Sequence, residues 1–203
     1  IAPETYLKRL IVGNYDRVGF INDFTFDLSY TYGESENFNT ERGVDVQRFS
    51  LAADGKGNVT ACWLSGKLYA NVSRDHGKTF APAVEIDPTF DPCDCCTTSA
   101  TYGADGKLAV LYREETNNER DMFLVLWDQD RKSVSRNRVS STLWKIDGCP
   151  MTYFAVAPRA DGFTVVWPTE SRIFFARLDA KGALLSPAEV KTPGTTGMRT
   201  GMV

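Results

Sequence analysis

No run of eighteen apolar residues occurs in the chain, so no helix long and apolar enough to cross a membrane is expected. Charge of one sign is lacking too. Against 26 Asp and Glu stand 23 Lys and Arg, a net −3 over 203 residues, which gives no broad basic footprint for nucleic acid. Sustained helical periodicity is missing. The opening residues, IAPETYL, have neither a basic nor an apolar leader segment, so any export signal is expected to be already removed. Histidine occurs once, as His76. Cysteine is scarce, yet three of the five, Cys93, Cys95 and Cys96, crowd into "DPCDCC".

What the chain does have is short apolar runs punctuated by Gly, Pro, Asp and Asn. A hydrophobic fraction of 42% suffices for a sizeable core. "DFTFDLSYTY" alternates apolar and polar residues, as a half-buried strand does. An internal repeat follows: "AADGKGNVTACWLS", "YGADGKLAVLYRE" and "PRADGFTVVWPTE". Each holds an Ala-Asp-Gly turn and an apolar strand closing on an aromatic: Trp63, Tyr112 or Trp167. The Asp-Gly pair can supply the positive φ angles of a tight hairpin. A second strand comes next: "KLYANVS", "DMFLVLW" or "RIFFARL". The turn aspartates Asp54, Asp105 and Asp161 are 51 and 56 residues apart. A strand repeat with a period near fifty predicts an all-β fold, a β-propeller of four-stranded antiparallel blades. A β-sandwich is the alternative. The expected layout is N-terminal strands over 1–45, blades over 46–100, 101–150 and 151–190, and the start of another over 191–203.

After the second strand of the first repeat comes "SRDHGKTF", which fits Ser-x-Asp-x-Gly-x-Thr-aromatic through Ser73, Asp75, Gly77, Thr79 and Phe80. This is the Asp-box. Asp75 is suited to accept backbone N–H groups of its own turn, Gly77 to take positive φ, and Phe80 to bury its ring. "WDQDRKSVS" and "LDAKGALLS" are decayed versions. The motif braces a blade, so His76 within it is expected to be an exposed turn residue.

The chain resembles bacterial sialidase-like (BNR/Asp-box repeat) β-propellers. The resemblance runs over roughly residues 45–203. It is to a subgroup with a Cys-x-Cys-Cys segment (Cys93–Cys96), a Tyr-Arg strand end (Tyr112, Arg113), an Arg-Asp-Met strand start (Arg120, Asp121, Met122) and a Gly-Cys-Pro-Met segment (Gly148 to Met151). It implies a propeller of six or seven blades, of which about four fit here, so the chain reads as part of a larger ring. A four-bladed propeller is the other possibility. Sialidases of this fold hold the substrate carboxylate with three arginines and use a Tyr/Glu nucleophile pair and an Asp acid/base. Their Arg-Ile-Pro motif is absent from this sequence.

Three chemistries stand open for the cysteines. Thiolates of Cys93, Cys95, Cys96 and Cys149 suit zinc or copper, but adjacent Cys95 and Cys96 point apart on an extended chain. Cys93 and Cys96 have redox spacing, but no helix signal follows them. Disulfides are preferred, linking Cys149 to one cysteine of the cluster and closing a local loop with the other two. The long link would stabilise by roughly 2–4 kcal/mol. It would place the protein in the periplasm or outside the cell. Cys62 reads as a small buried hydrophobe.

Two functions remain. The first is a non-catalytic binding or scaffold module for a protein or glycan on the propeller face, with no cofactor and no metal, free-standing or as a subunit of a larger assembly. The second is an exo-sialidase-type glycoside hydrolase. Its candidates are Arg113 and Arg120 as a carboxylate clamp, Glu114 or Asp121 as carboxylate, and Tyr112 or Tyr153 as phenol. Against it, Arg113, Glu114, Arg120 and Asp121 also read as ordinary surface ion pairs of one hairpin.

Overall fold

The computed structural model describes residues 49–89, 91–93, 96–130, 132–140, 142–148, 150, 152–170 and 172–190. All regular structure among them is β. Twelve strands form three antiparallel four-stranded sheets in simple up-and-down order. The first sheet holds β1 (Phe49–Ala53), β2 (Val59–Leu64), β3 (Leu68–Ser73) and β4 (Val84–Asp87). The second holds β5 (Ser99–Tyr102), β6 (Leu108–Arg113), β7 (Met122–Asp128) and β8 (Ser133–Arg138). The third holds β9 (Ala155–Arg159), β10 (Gly162–Thr169), β11 (Arg172–Asp179) and β12 (Leu184–Val190). Three sheets are thus described where about four blades were expected. The strand expected in "DFTFDLSYTY" and the further blade from residue 191 lie outside the described residues.

Successive sheets meet through their first strands, β1 against β5 and β5 against β9. They also stack face to face. Along β6, Leu108, Val110 and Tyr112 pack toward Cys62, Leu64 and Leu68 of the first sheet. Ala109 and Leu111 pack toward Phe163, Val165 and Trp167 of the third. Strand alternation therefore serves two cores at once, which is why β6 is buried at every residue. This is blade-like stacking, and the ring around it is not closed by the described strands.

The aromatic that ends each second strand sits directly opposite an aromatic near the start of the third. The register pairs Trp63 with Tyr69, Tyr112 with Phe123 and Trp167 with Phe174. Their ring centroids are 6.0, 6.5 and 5.6 Å apart. Such cross-strand pairs add to sheet stability beyond the area they bury. The pair recurs in every sheet, so the sequence repeat is a structural repeat.

The Ala-Asp-Gly turns are less uniform than the sequence suggests. Five residues separate β1 from β2 and β5 from β6, so these are not tight two-residue hairpins. Gly55 and Gly106 do take positive φ, 71° and 80°. Asp54 instead folds its carboxylate inward and accepts the N–H groups of Lys56 and Asn58 at 2.7 and 3.0 Å. Only the third turn, Ala160–Asp161, is a two-residue loop.

Candidate functional site

Strands β6 and β7 continue past the second sheet as a hairpin. Thr116 and Glu119 exchange N–H···O bonds across Asn117 and Asn118, whose φ angles of 53° and 66° suit a turn with two left-handed residues. Two other segments lie along this extension. On one side, Cys93 N–H donates to the Arg113 carbonyl at 2.8 Å and Glu115 N–H to Asp91 at 3.0 Å. On the other, Arg120 N–H donates to the Trp144 carbonyl at 2.8 Å and Ile146 N–H to Asn118 at 2.9 Å. The result is a small extra sheet that brings the cysteine segment, Arg113, Arg120 and Trp144 together.

Arg113 is fully buried. Nη1 donates to the Arg120 carbonyl at 2.7 Å and Nη2 to the Pro168 carbonyl at 2.6 Å. Its guanidinium lies over the Trp144 ring, 5.0 Å from the centroid. Burial pulls its pKa below the ordinary arginine value. Arg120 Nη1 donates to Cys93 Sγ at 2.8 Å. The Nε atoms of both arginines are buried without a hydrogen-bond partner. The two guanidiniums converge, but on backbone carbonyls and a sulfur. The expectation of a carboxylate clamp is corrected for Arg113, since both its terminal nitrogens are committed inside the fold.

The surface ion-pair reading is corrected as well. Glu114 pairs with Arg136 on β8 at 2.5 Å, and Asp121 with Arg138 at 2.7 Å. Asp121 also accepts from Ser140 Oγ at 3.1 Å, and burial raises its pKa. Tyr112 is buried; its hydroxyl donates to Asp87 at 2.8 Å and accepts from Arg136 Nε at 3.1 Å. Burial pushes the phenol up, away from the ionised form. Arg136 lies 3.4 Å from the centroid of Phe123, so it ties β4, β6, β7 and β8 together. Tyr153, the other candidate phenol, is 41% exposed.

Cys93 and Cys96 are both buried, with Sγ atoms 3.3 Å apart. The Cys96 N–H donates to the Cys93 carbonyl at 2.8 Å. No disulfide occurs among the described residues, and Cys95 and Cys149, with the expected long link, lie outside them. Cys62 is fully buried in β2, and burial pushes its thiol up, as suits a small hydrophobe.

The turn that holds Asp75 lies between β3 and β4. Asp75 accepts from Ser73 Oγ, Thr79 Oγ1 and the N–H groups of Lys78 and Thr79, at 2.7, 2.6, 3.0 and 2.9 Å. Ser73 Oγ in turn accepts from Gly77 N–H at 2.8 Å. Gly77 takes φ 81° and Phe80 is half-buried. His76 is exposed, with φ 64°, and its N–H donates to the Gly57 carbonyl at 2.9 Å.

Arg136, Asp87 and Trp144 were missed in the sequence. The signal for Arg136 was weak, one of two arginines in the polar edge strand "SVSRNR". No local pattern pairs it with Asp87, 49 residues earlier.

No protein-family model matches the chain, and no curated protein does. Solved structures similar to it include "NanB plus Optactamide", at 17% identity and TM-score 0.40, covering 71% of this chain and 22% of that one. NanB sialidase from Streptococcus pneumoniae in complex with a chlorobenzyl-substituted ammonioethanesulfonate is similar at 16% identity and TM-score 0.39, with the same coverage. The chain therefore spans about a fifth of the length of those proteins.

Proposed function

We propose that the chain belongs to a sialidase-like β-propeller that acts outside the cytoplasm as a non-catalytic binding or scaffold module for a protein or glycan. The observation that carries this reading is the closure of Arg113 on the carbonyls of Arg120 and Pro168. A clamp for a sugar carboxylate needs guanidinium nitrogens open to the ligand. Tyr112, held by Asp87 and Arg136 inside the fold, is likewise out of reach of an anomeric carbon. Hydrolysis of a glycoside needs two such groups flanking one bond. What is left for the surface is a rigid set of sheet edges and loops, which suits recognition. Which ligand they take is not fixed by the fold.

The test is turnover of a fluorogenic sialoside by the purified chain. The expected result is no release above buffer. Release that disappears in Asp121→Asn, with melting unchanged, would overturn the reading and establish a hydrolase.

A further inference from the structure

Cys93 and Cys96 are not used by the function proposed above, and their surroundings are unusual. They sit between the second and third sheets, in one core with Leu111, Met122 and Trp167. The Cys96 N–H donates to the Cys93 carbonyl at 2.8 Å. A bond of this kind between residues three apart keeps their Cα atoms within about 7 Å, the reach of a disulfide. The sulfurs already touch, at 3.3 Å. Thioredoxin-like pairs gain a reactive thiolate from a helix N-terminus, and the described residues contain no helix. Two guanidiniums take that role here. Arg120 reaches Cys93 Sγ at 2.8 Å, and Arg113 lies beside it with its Nε unpartnered. Arg113 is buried and Arg120 half-buried, and a buried cation favours an anion nearby. Asp121, a carboxylate acting on Arg113, is itself engaged by Arg138 at 2.7 Å. The same two cations disfavour a metal ion at the sulfurs.

We infer that Cys93 and Cys96 form a reversible dithiol/disulfide site, in which Cys93 is the attacking thiolate and Cys96 the resolving thiol. The oxidant class is a small hydroperoxide, because Cys93 is only 2% exposed and Cys96 not at all. The Cys93 thiolate attacks one peroxide oxygen and the O–O bond breaks. The departing oxygen takes up a proton and leaves as water from hydrogen peroxide, or as an alcohol from an organic hydroperoxide, and Cys93 becomes a sulfenic acid. Cys96 sulfur then attacks Cys93 Sγ, the S–O bond breaks, and water leaves with the Cys96 proton. Two electrons pass from the two thiols to the peroxide. A low-molecular-weight thiol reverses the change by two exchange steps, becoming a disulfide itself. Titration supports the roles. The hydrogen bond from Cys96, with the charges of Arg120 and Arg113, holds Cys93 down to about 7 despite burial. Cys96 is pushed up by its bond to Cys93 and by burial, so it keeps its proton until it resolves.

The experiment treats the reduced whole chain with hydrogen peroxide, quenches in acid, alkylates and maps peptides after cleavage before Asp94. The expected product is a Cys93–Cys96 bond that dithiothreitol removes. The rate of oxidation should rise with pH through a midpoint near 7. In Arg120→Gln the midpoint should move up, and a rise of one unit would slow oxidation at pH 7 about fivefold. Arg120→Lys should restore most of the rate; if Arg120→Gln does not fold, the pH profile of the unaltered chain and Arg120→Lys decide. Cys96→Ser should stop at a sulfenic acid trapped by dimedone. A bond from either sulfur to Cys95 or Cys149, no bond at all, a midpoint above 8.5, or a stoichiometric metal in the native mass would each overturn the inference.

Discussion

Asp75 accepts four hydrogen bonds within a single turn, and each favours its charged form. The hydrogen bond from the Thr79 hydroxyl, then those from Thr79 N–H and Ser73, hold its carboxyl well below the usual carboxylate range. Its contribution to stability is therefore complete above the unfolded value of about 3.9. It shrinks below that pH and vanishes as pH falls through the lowered folded value. Urea unfolding at pH 7 and pH 3 should show a smaller acid loss in Asp75→Asn than in the unaltered chain. An equal loss would mean the carboxylate is not held as described. Tyr112→Phe makes a second residue-scale case. It removes a donor from buried Asp87, and the cost should be about 1–2 kcal/mol in chemical denaturation. The turn around Asp75 was legible in the sequence because the groups its carboxylate accepts from, on Ser73, Lys78 and Thr79, are within four positions. Tyr112 was singled out as a phenol, but its partners Asp87 and Arg136 are 25 and 24 residues away. No spacing rule reports such a pair.

Elements repeat with small deviations, and glycines show where the deviations matter. Gly162 opens β10 with φ 152°, and a Cβ there would overlap the Leu178 carbonyl oxygen of β11. Gly106 has φ 80° and open space around it. Both were read as members of one Asp-Gly repeat, yet the substitutions should differ. Gly106→Ala should cost about 1 kcal/mol, from the backbone angle alone. Gly162→Ala should cost at least about 2 kcal/mol, because backbone must also move. Thermal melts of the two variants side by side check this, and equal losses would contradict the close approach of β10 and β11. The strands themselves were legible from alternation and turn residues. The recurring aromatic pair was half legible: Trp63, Tyr112 and Trp167 stood out, while Tyr69, Phe123 and Phe174 did not. Cross-strand register has to be known before the second ring can be chosen.

At the scale of the whole molecule, three stacked sheets share two buried cores, and the extra small sheet beside the second seals the Arg113–Cys93 cluster. The all-β class and the order of the sheets followed from the period of the repeat. The role of Arg113 did not, because a Tyr-Arg strand end looks the same whether the guanidinium meets a ligand or the carbonyl of the next sheet. Only packing of the third sheet against the second brings the Pro168 carbonyl to it. The central claim is that this arginine holds sheets together instead of holding a substrate. Arg113→Ala tests it most directly, read by unfolding and by sialoside turnover on the same preparation. A buried and a half-buried carbonyl would lose charged donors, so a stability loss on the order of 3 kcal/mol is predicted, with no turnover to lose. Unchanged stability, together with turnover present in the parent chain and gone in the variant, would contradict it.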